Sequence, residues 1–270
     1  MTKSTHYRTV WLSDIHLGCK DCKAEYLLDF LTHNKIDTLY LVGDIVDMWA
    51  MSRQFLWPKS HNLLFHTLIS LPNKGTRVIY LPGNHDEPAQ KYDGMMFGDI
   101  EIHREYIHTT AAGKKLLLLH GDQFDQEVCF GAFHAWIGDK MYDLLLFLNR
   151  WYNRIRTMMG FPYWSLAGYI KSRVKGANEA ISRYKQACID RASEMGMDGV
   201  VCGHIHHPEI DEQDGITYCN DGDWIENCSA LTENAQGQLN LVYWAKVTAS
   251  EKLHSIPVRQ QASANKQKAA

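Results

Sequence analysis

Short apolar runs, several followed at once by aspartate, asparagine or histidine, are the feature that most limits how this sequence can fold. Seven runs rich in β-branched and aliphatic residues predict strands: Arg8–Leu12, Thr38–Val42, Arg77–Leu81, Leu116–Leu119, Gly199–Cys202, Ile216–Cys219 and Leu239–Trp244. Several of them are apolar throughout, which is typical of strands buried on both faces. Helical patterns lie between the first four runs, so the sequence predicts an α/β sandwich.

Two helices are predicted between the early strands. The first spans Ala24–His33 and carries its leucines on one face. The second spans His61–Ser70, and it follows Ser60, a residue type that often caps helices, and ends before Pro72. Both helices have a length that can cover one face of a sheet.

The segment from about residue 127 to 195 breaks this alternation. Apolar residues recur there at spacings of three or four, which predicts a long amphipathic helix: Phe130, Phe133, Ile137, Met141, Leu144, Leu148, Trp151, Ile155 and Met158. Asn178 is predicted to cap a second helix, which Gly196 closes. We interpret the segment as a helical insertion, or lid, on the α/β body.

Composition and apolar patterning argue against several classes of protein. A net charge of -3 and a pI near 6.5 argue against a general nucleic-acid binder. The N-terminus lacks the apolar core of a secretory signal, and the apolar run Leu144–Leu148 is far shorter than the ~20 residues of a membrane span. Seven irregularly spaced cysteines fit reduced thiols, so a cytoplasmic protein is predicted. Residues 1–258 are predicted to form one domain, and the polar residues 259–270 a disordered tail.

Five groups of metal-ligating residue types follow predicted strands. They are Asp14-Ile-His16, Gly43-Asp44-Ile-Val-Asp47, Gly83-Asn84-His85-Asp86, His120-Gly-Asp122 and Gly203-His204-Ile-His206. Open α/β sheets place their binding crevices at these strand ends, and such ligands suit Mn, Fe, Zn or Mg. A carboxylate shared by two cations ~3.5–4 Å apart allows them to activate a bridging hydroxide and clamp a phosphoryl group. One such group alone is more often structural, whereas five in order at strand ends predict a two-metal site.

The order of these motifs, from Thr9 to about His207, resembles that of the calcineurin-like metallophosphoesterase superfamily. The resemblance implies a two-sheet β-sandwich flanked by helices, with two divalent cations. One cation would take Asp14, His16, Asp44 and His206, and the other Asp44, Asn84, His120 and His204. Asp44 would bridge both cations and is therefore a catalytic candidate.

The resemblance also implies roles for residues that do not hold a cation. His85 corresponds to the superfamily's catalytic histidine near the leaving group or phosphate, and Asp86 to a carboxylate that orients it. Asp47 and Asp122 are further candidates for supporting ligands, with a solvated or turn carboxylate as the alternative for each.

A narrower resemblance rests on the stretch from His120 to Asp125, the helical insertion, and the stretch from Tyr218 to Trp224 with the residues after it. Together these are similar to the UDP-2,3-diacylglucosamine hydrolase group, bacterial enzymes of lipid A assembly. The similarity implies cleavage of the pyrophosphate of a nucleotide-lipid, usually with manganese. The group typically has arginine where this chain has His85, which keeps open another phosphodiesterase or phosphatase substrate. A non-catalytic scaffold would have lost ligands, and here every ligand position is filled.

The insertion has the chemistry of a lipid-binding segment. Between Leu144 and Asn178 there are six basic residues, no acidic residue and many aromatic ones. Apolar side chains can line an acyl pocket, while cations meet phosphates or an anionic inner-membrane surface. The alternative is a helix that packs its stripe on the body and leaves a basic face in water. Substrate-binding candidates are Asn84, Arg173, Lys175 and Asn178.

Overall fold

The computed structural model describes residues 4–125, 139–159, 161, 163–166, 169–170 and 175–245. Its strands are β1 His6–Leu12, β2 Lys35–Val42, β3 Arg77–Leu81, β4 Met96–Phe97, β5 Ile100–Ile102, β6 Tyr106–Thr109, β7 Lys115–Leu118, β8 Gly199–Cys202, β9 Glu209–Gln213, β10 Ile216–Asn220, β11 Ser229–Glu233 and β12 Leu239–Tyr243. Its helices with defined bounds are α1 Ala24–His33, α2 Met48–Arg53, α3 Lys59–Ser70, α4 Asp139–Met158 and α5 Lys175–Glu194.

The strands form two mixed sheets. The first has the order β12-β11-β1-β2-β3-β5-β4, and the second has the order β6-β7-β8-β10-β9. Strands β1, β2 and β3 run parallel in the first sheet, and β7, β8 and β10 run parallel in the second. Parallel neighbours end at the same edge of their sheet, so the loops after these strands lie side by side.

The two sheets pack face to face between helices. The core between the sheets includes Trp11, Tyr40 and Leu81 of the first sheet and Leu118 and Val201 of the second. Helices α1 and α3 cover the other face of the first sheet, and α5 covers the second. The predicted α/β sandwich with flanking helices is confirmed. Helix α5, which the sequence placed in the insertion, forms this outer layer.

Two predicted helix caps are wrong. Helix α3 begins at Lys59 after Pro58, so Ser60 lies inside its first turn. Proline suits this position because its fixed φ matches the start of a helix and it lacks an N–H that would go unpaired. Helix α5 begins at Lys175, so Asn178 also lies within a first turn. The predicted tail, residues 259–270, lies outside the described residues.

Helix α4 turns two asparagines toward the body, and the described part of its apolar stripe faces outward. Asn149 and Asn153 are buried, and their side chains bind the backbone N–H groups of Leu166 and Trp164, respectively, each at 2.9 Å. The outward residues are between 45% and 83% exposed: Leu144, Phe147, Leu148, Trp151, Ile155 and Met158. The stripe therefore does not pack on the body, contrary to the second of the two predicted alternatives. In the part of the chain that the structure describes, every helix is too short or too polar to cross a bilayer.

A buried carboxylate ties the two sheets together at Glu233, the last residue of β11. It accepts hydrogen bonds from the Arg8 guanidinium at 2.8 Å, the Thr9 hydroxyl at 2.6 Å and the Ala111 N–H at 2.7 Å. His108 Nε2 of the second sheet lies 3.1 Å away. Burial alone would raise the pKa of Glu233, but His108, Thr9, Ala111 and Arg8 together lower it to about 2. The folded state therefore favours the ionised form.

We expect Glu233→Gln to lower the free energy of unfolding by about 2 kcal/mol at pH 7, because it removes charge-assisted hydrogen bonds. A depressed folded pKa gives stability above the unfolded value of about 4.5 and loses it as the pH falls toward 2. Urea titrations from pH 7 to pH 3 should therefore show the difference from wild type shrinking below pH 5. Glu212→Gln, at an exposed position on β9, is the control. A difference that stays constant with pH would contradict this account.

Candidate active site

The five motifs converge where β1, β2, β3, β7 and β8 end. Five of the predicted ligand residues have a left-handed backbone: Asp14, His16, Asp44, His204 and His206, with φ between 50° and 68°. Among the described residues only two other non-glycine residues, Asp214 and Cys228, share this conformation. Non-glycine residues adopt it at a cost in strain, and such strain concentrates at functional sites. The loops thus hold these side chains in place against the backbone's own preference.

One group of candidate ligands joins the first and second sheets. Donor atoms of Asp14, His16 and His206 lie within 4.8 Å of one another. Asp14 Oδ1 is 3.1 Å from His206 Nε2 and 3.8 Å from His16 Nε2. The other ring nitrogen of His16 faces Asp47 Oδ2 at 3.0 Å. A carboxylate on Nδ1 fixes the tautomer in which Nε2 carries a lone pair for a cation.

A second group is formed by Asp44, His120 and His204, again within 4.8 Å. His120 donates from Nδ1 to the Val42 carbonyl at 2.8 Å, and its Nε2 lies 3.4 Å from Asp44 Oδ2. In the neutral ring this Nε2 is the nitrogen with a lone pair for a cation. The same Asp44 oxygen lies 3.8 Å from His16 Nε2 of the first group. Asp44 therefore stands between the two groups, where a bridging ligand would lie.

The chemistry of these donors fits a pair of cations. Nine buried side-chain nitrogen or oxygen atoms of the described residues lack a hydrogen-bond partner, and five belong to the predicted ligands. They are Asp14 Oδ1, His16 Nε2, Asn84 Oδ1, His120 Nε2 and His206 Nδ1. Buried polar atoms normally have partners, because an unpaired one costs about 1–3 kcal/mol. Buried donor atoms without partners are what a divalent cation would satisfy.

Asp44 and His120 each favour the charged form of the other. Burial disfavours the charged form of Asp44, yet His120 and His16 beside it outweigh burial and hold its pKa well below the usual range. For His120, burial favours the neutral ring, but Asp44 and Asp14 raise its pKa well above the usual value. Each partner thus stabilises charge on the other, and a cation would take the place of the imidazolium protons.

His85 lies at the rim, between two aromatic rings. Its ring centroid is 4.4 Å from that of Trp49 and 4.6 Å from that of His16. Its side chain is 25% exposed, and Nδ1 lies 3.0 Å from Asp47 Oδ1. Asp47 therefore contacts both His85 and His16, in agreement with its predicted supporting role.

The prediction that Asp86 orients His85 is wrong. The Asp86 carboxylate is fully buried and accepts backbone N–H groups from Gly83 at 2.5 Å and Ile45 at 2.8 Å, with Asp44 at 3.3 Å. It joins the loops after β2 and β3, whereas Asp47 takes the place beside the His85 ring. Asp86 is thus a support for the backbone that carries Asp44.

The remaining candidates differ in position, and Asp122 lies near enough to His120 for its charge to help raise the pKa of that ring. Asp122 lies 3.5 Å from the amide nitrogen of Gln90, and Asn178 is exposed on α5. Arg173 and the side chain of Lys175 lie outside the described residues. Asn84, which is also one of the predicted ligands, has a buried side-chain oxygen without a hydrogen-bond partner.

Three residues that the sequence analysis did not predict support the ligands: Asp125 and Ser13 contact a ligand directly, and Asp221 contacts Ser13. Asp125 Oδ1 lies 2.7 Å from His204 Nε2, and Ser13 and Asp221 lie behind Asp14. Asp125 belongs to the stretch that carries the narrower resemblance, so its position in that motif was the available signal. Ser13 directly precedes Asp14 in the sequence, but no periodic pattern marks it as functional. Asp221 is distant in the sequence and reaches Ser13 only because it follows β10 of the second sheet.

Comparison with known proteins decides the family. A family model described as calcineurin-like phosphoesterase matches residues 7–208 of the 270. The chain belongs to the calcineurin-like phosphoesterase family. It is a phosphoester hydrolase, and this family is dependent on divalent metal ions. The matched range contains all five motifs, and the match confirms the resemblance.

Relatives with curated names are distant but span most of the chain. UDP-2,3-diacylglucosamine hydrolase of Haemophilus influenzae (strain PittGG) is 24% identical over 248 residues, 86% of this chain and 97% of that protein. The protein of the same name from Neisseria meningitidis serogroup B is 23% identical over 229 residues, covering 82% and 91%. Among solved structures, a hypothetical protein of Pyrococcus horikoshii OT3 aligns with 94% of this chain and 95% of its own, at 11% identity and a TM-score of 0.49.

Proposed function

We propose that this phosphoesterase uses two divalent cations, with manganese the expected ion, to cleave the pyrophosphate of a nucleotide-lipid such as UDP-2,3-diacylglucosamine. The convergence of the candidate ligands around Asp44 carries the proposed reaction type. The names of the relatives that span most of the chain support the substrate. The outward apolar face of α4 supports the lipid part of that substrate.

Within this proposal, each residue has a separate task. One cation would be held by Asp14, His16, Asp44 and His206, and the other by Asp44, Asn84, His120 and His204. When bound, the cations would polarise the phosphoryl group and activate water for in-line attack. Asp47 holds His85 Nδ1. In the imidazolium form both ring nitrogens carry a proton, so Nδ1–H would stay on Asp47 while Nε2–H is donated to the leaving phosphate oxygen, which leaves a neutral ring. The Trp49 ring lies against this ring at a tilt of 34° and would limit its rotation.

Helix α4 is tied to the loop that carries the candidate ligands. Arg150 donates from Nη1 to both oxygens of Asp21, at 2.7 and 2.6 Å, and Asp21 follows His16 by five residues. The apolar stripe of α4 is therefore anchored next to the edge where the five motifs converge. Acyl chains laid on it would bury apolar surface that is exposed in the free protein, which favours binding.

Peripheral contact with an anionic membrane surface is part of the same proposal. Arg154 and Arg156 lie on α4 among the exposed apolar residues. A helix with apolar and basic residues on its outer side can lie in the headgroup region of a bilayer. A substrate with two acyl chains would be found there.

A hydrolase of soluble nucleotides is the second candidate, and His85 favours it. The hydrolase group named above typically has arginine at this position, a permanent bidentate clamp for phosphate. Histidine can instead donate a proton near neutral pH, which suits leaving groups of other kinds. The two candidates differ in whether acyl chains improve catalysis.

Activity on acylated and unacylated substrates separates them. With Mn²⁺, we expect kcat/KM to be highest for UDP-2,3-diacylglucosamine, lower for UDP-glucosamine and lowest for a chromogenic phosphodiester. In the double variant Leu148→Ser/Ile155→Ser we expect KM for the acylated substrate to rise about tenfold, near 1.4 kcal/mol of lost apolar contact. Leu63→Ser, at a 49% exposed position on α3, is the matched control. If kcat/KM were equal for the acylated and unacylated substrates, the lipid proposal would be wrong, while the assignment as a phosphoesterase would stand.

A further inference from the structure

A buried hydrogen-bond chain lies behind Asp14. The Ser13 hydroxyl oxygen is 2.5 Å from Asp14 Oδ2 and 2.6 Å from Asp221 Oδ1, and the Gly222 carbonyl lies 3.1 Å from it. Ser13, Asp14 and Asp221 are at most 1% exposed. Ser13 and Asp14 follow β1 of the first sheet, while Asp221 follows β10 of the second. The chain therefore links the two halves of the site.

The number of available protons decides which group donates in each of these hydrogen bonds. A hydroxyl has one proton and donates to one of two carboxyl oxygens, so the other short contact needs a proton from a carboxyl group. Asp14 Oδ2 also accepts the His204 N–H at 2.9 Å, and its Oδ1 faces His206 Nε2. These partners favour ionised Asp14. The extra proton therefore belongs on Asp221.

The surroundings of Asp221 agree with a neutral acid. Its Oδ2 is buried without a hydrogen-bond partner. An ionised carboxylate buried in this way carries a large desolvation cost, whereas a neutral carboxylic acid does not. Burial raises the pKa of Asp221 well above its usual range. Asp221 is the donor at the start of the chain.

We propose that Asp221 and Ser13 are positioning residues for the hydrolysis: Asp221 donates to Ser13, which donates to Asp14 Oδ2. This rests on the proposed metal-dependent function. With Oδ2 held by Ser13 and the His204 N–H, Oδ1 is the oxygen left to bind a cation. Asp14 is thereby fixed as a one-oxygen ligand, in the strained backbone conformation it adopts at φ 50°.

The affinity for Mn²⁺ tests this relay, the hydrogen-bond chain from Asp221 through Ser13 to Asp14. On the purified full chain, competition with a metallochromic chelator should show about 10- to 100-fold weaker Mn²⁺ binding in Ser13→Ala and Asp221→Ala. Asp221→Asn keeps an N–H donor toward Ser13, so it should stay within about threefold of wild type. Asp214→Asn, in the exposed turn between β9 and β10, is the matched control and should not change affinity. In the alanine variants kcat should fall while KM for substrate stays constant.

Each result has one meaning. Wild-type Mn²⁺ affinity in Ser13→Ala and Asp221→Ala overturns the relay. Asp221→Asn as weak as Asp221→Ala overturns it too, because Asp221 then acts through its charge. If circular dichroism shows that Asp221→Ala does not fold, the result for Ser13→Ala alone decides, because this variant removes the middle member of the hydrogen-bond chain. A wild-type protein that neither binds Mn²⁺ nor cleaves a phosphoester refutes the proposed function instead.

Discussion

Replacement of Asp44 by alanine is expected to lower kcat by roughly 10³-fold or more and to remove bound cation. Asp44 Oδ2 lies 3.4 Å from His120 Nε2 and 3.8 Å from His16 Nε2, so it faces both groups of candidate ligands. Its other oxygen accepts the His85 N–H at 2.8 Å. Turnover and elemental analysis of the purified variant measure the two effects together.

Two further variants separate charge, backbone support and proton donation. Asp44→Asn keeps an oxygen that can accept the His85 N–H but removes the negative charge, and we expect it to lose cation like Asp44→Ala. His85→Ala should retain cation while kcat falls about 10²- to 10⁴-fold, because only the proton donor is lost. Equal loss of metal in His85→Ala would contradict its assignment as a residue that does not bind metal. Full activity in Asp44→Asn would contradict the need for a shared carboxylate.

The proximity of the candidate ligands is predictable from the sequence, because the ends of the strands constrain their positions strongly. A strand is recognisable from a few apolar residues, and a ligand directly after it has little freedom in where it lies. Asp14, Asp44 and His120 are therefore brought together as expected. Supporting residues are harder to predict, since Asp47 and Asp86 each follow a ligand motif closely in the chain and only the loop geometry decides which carboxylate reaches His85.

The orientation of α4 could not be predicted either. A periodic apolar stripe looks the same in sequence whether it faces the core or solvent. Here Asn149 and Asn153 form the inner face by binding backbone groups, which periodicity does not register. Five of the twelve strands that the structure describes are not among the predicted runs: β4, β5, β6, β9 and β11. Two of these have a clear reason, since β9 is an edge strand with mostly polar residues and β4 has only two residues. Their pairing partners, rather than their own sequences, make them strands.

The second large effect comes from a residue with no side chain. We expect Gly83→Ala to lower kcat about 10²-fold or more, because a Cβ there would overlap Asp44 Oδ1 and lie 2.6 Å from His120 Nε2. Both atoms belong to buried side chains in fixed positions, so neither can move aside without shifting a candidate ligand. The loss should appear both in kcat and in weaker Mn²⁺ binding, measured by chelator competition.

Gly75→Ala gives the contrast that identifies the cause. Gly75 has φ 90°, and no atom lies within 4 Å of the point that a Cβ would occupy, so alanine there adds backbone strain but no overlap. It should reduce stability by about 1 kcal/mol and leave kcat unchanged. Gly83 lacks a left-handed φ, so its substitution should act through overlap with Asp44 and His120 instead. If Gly83→Ala kept full kcat and Mn²⁺ affinity, the two candidate ligands would have to be mobile, and a rigid arrangement around Asp44 could not be the basis of the proposed catalysis.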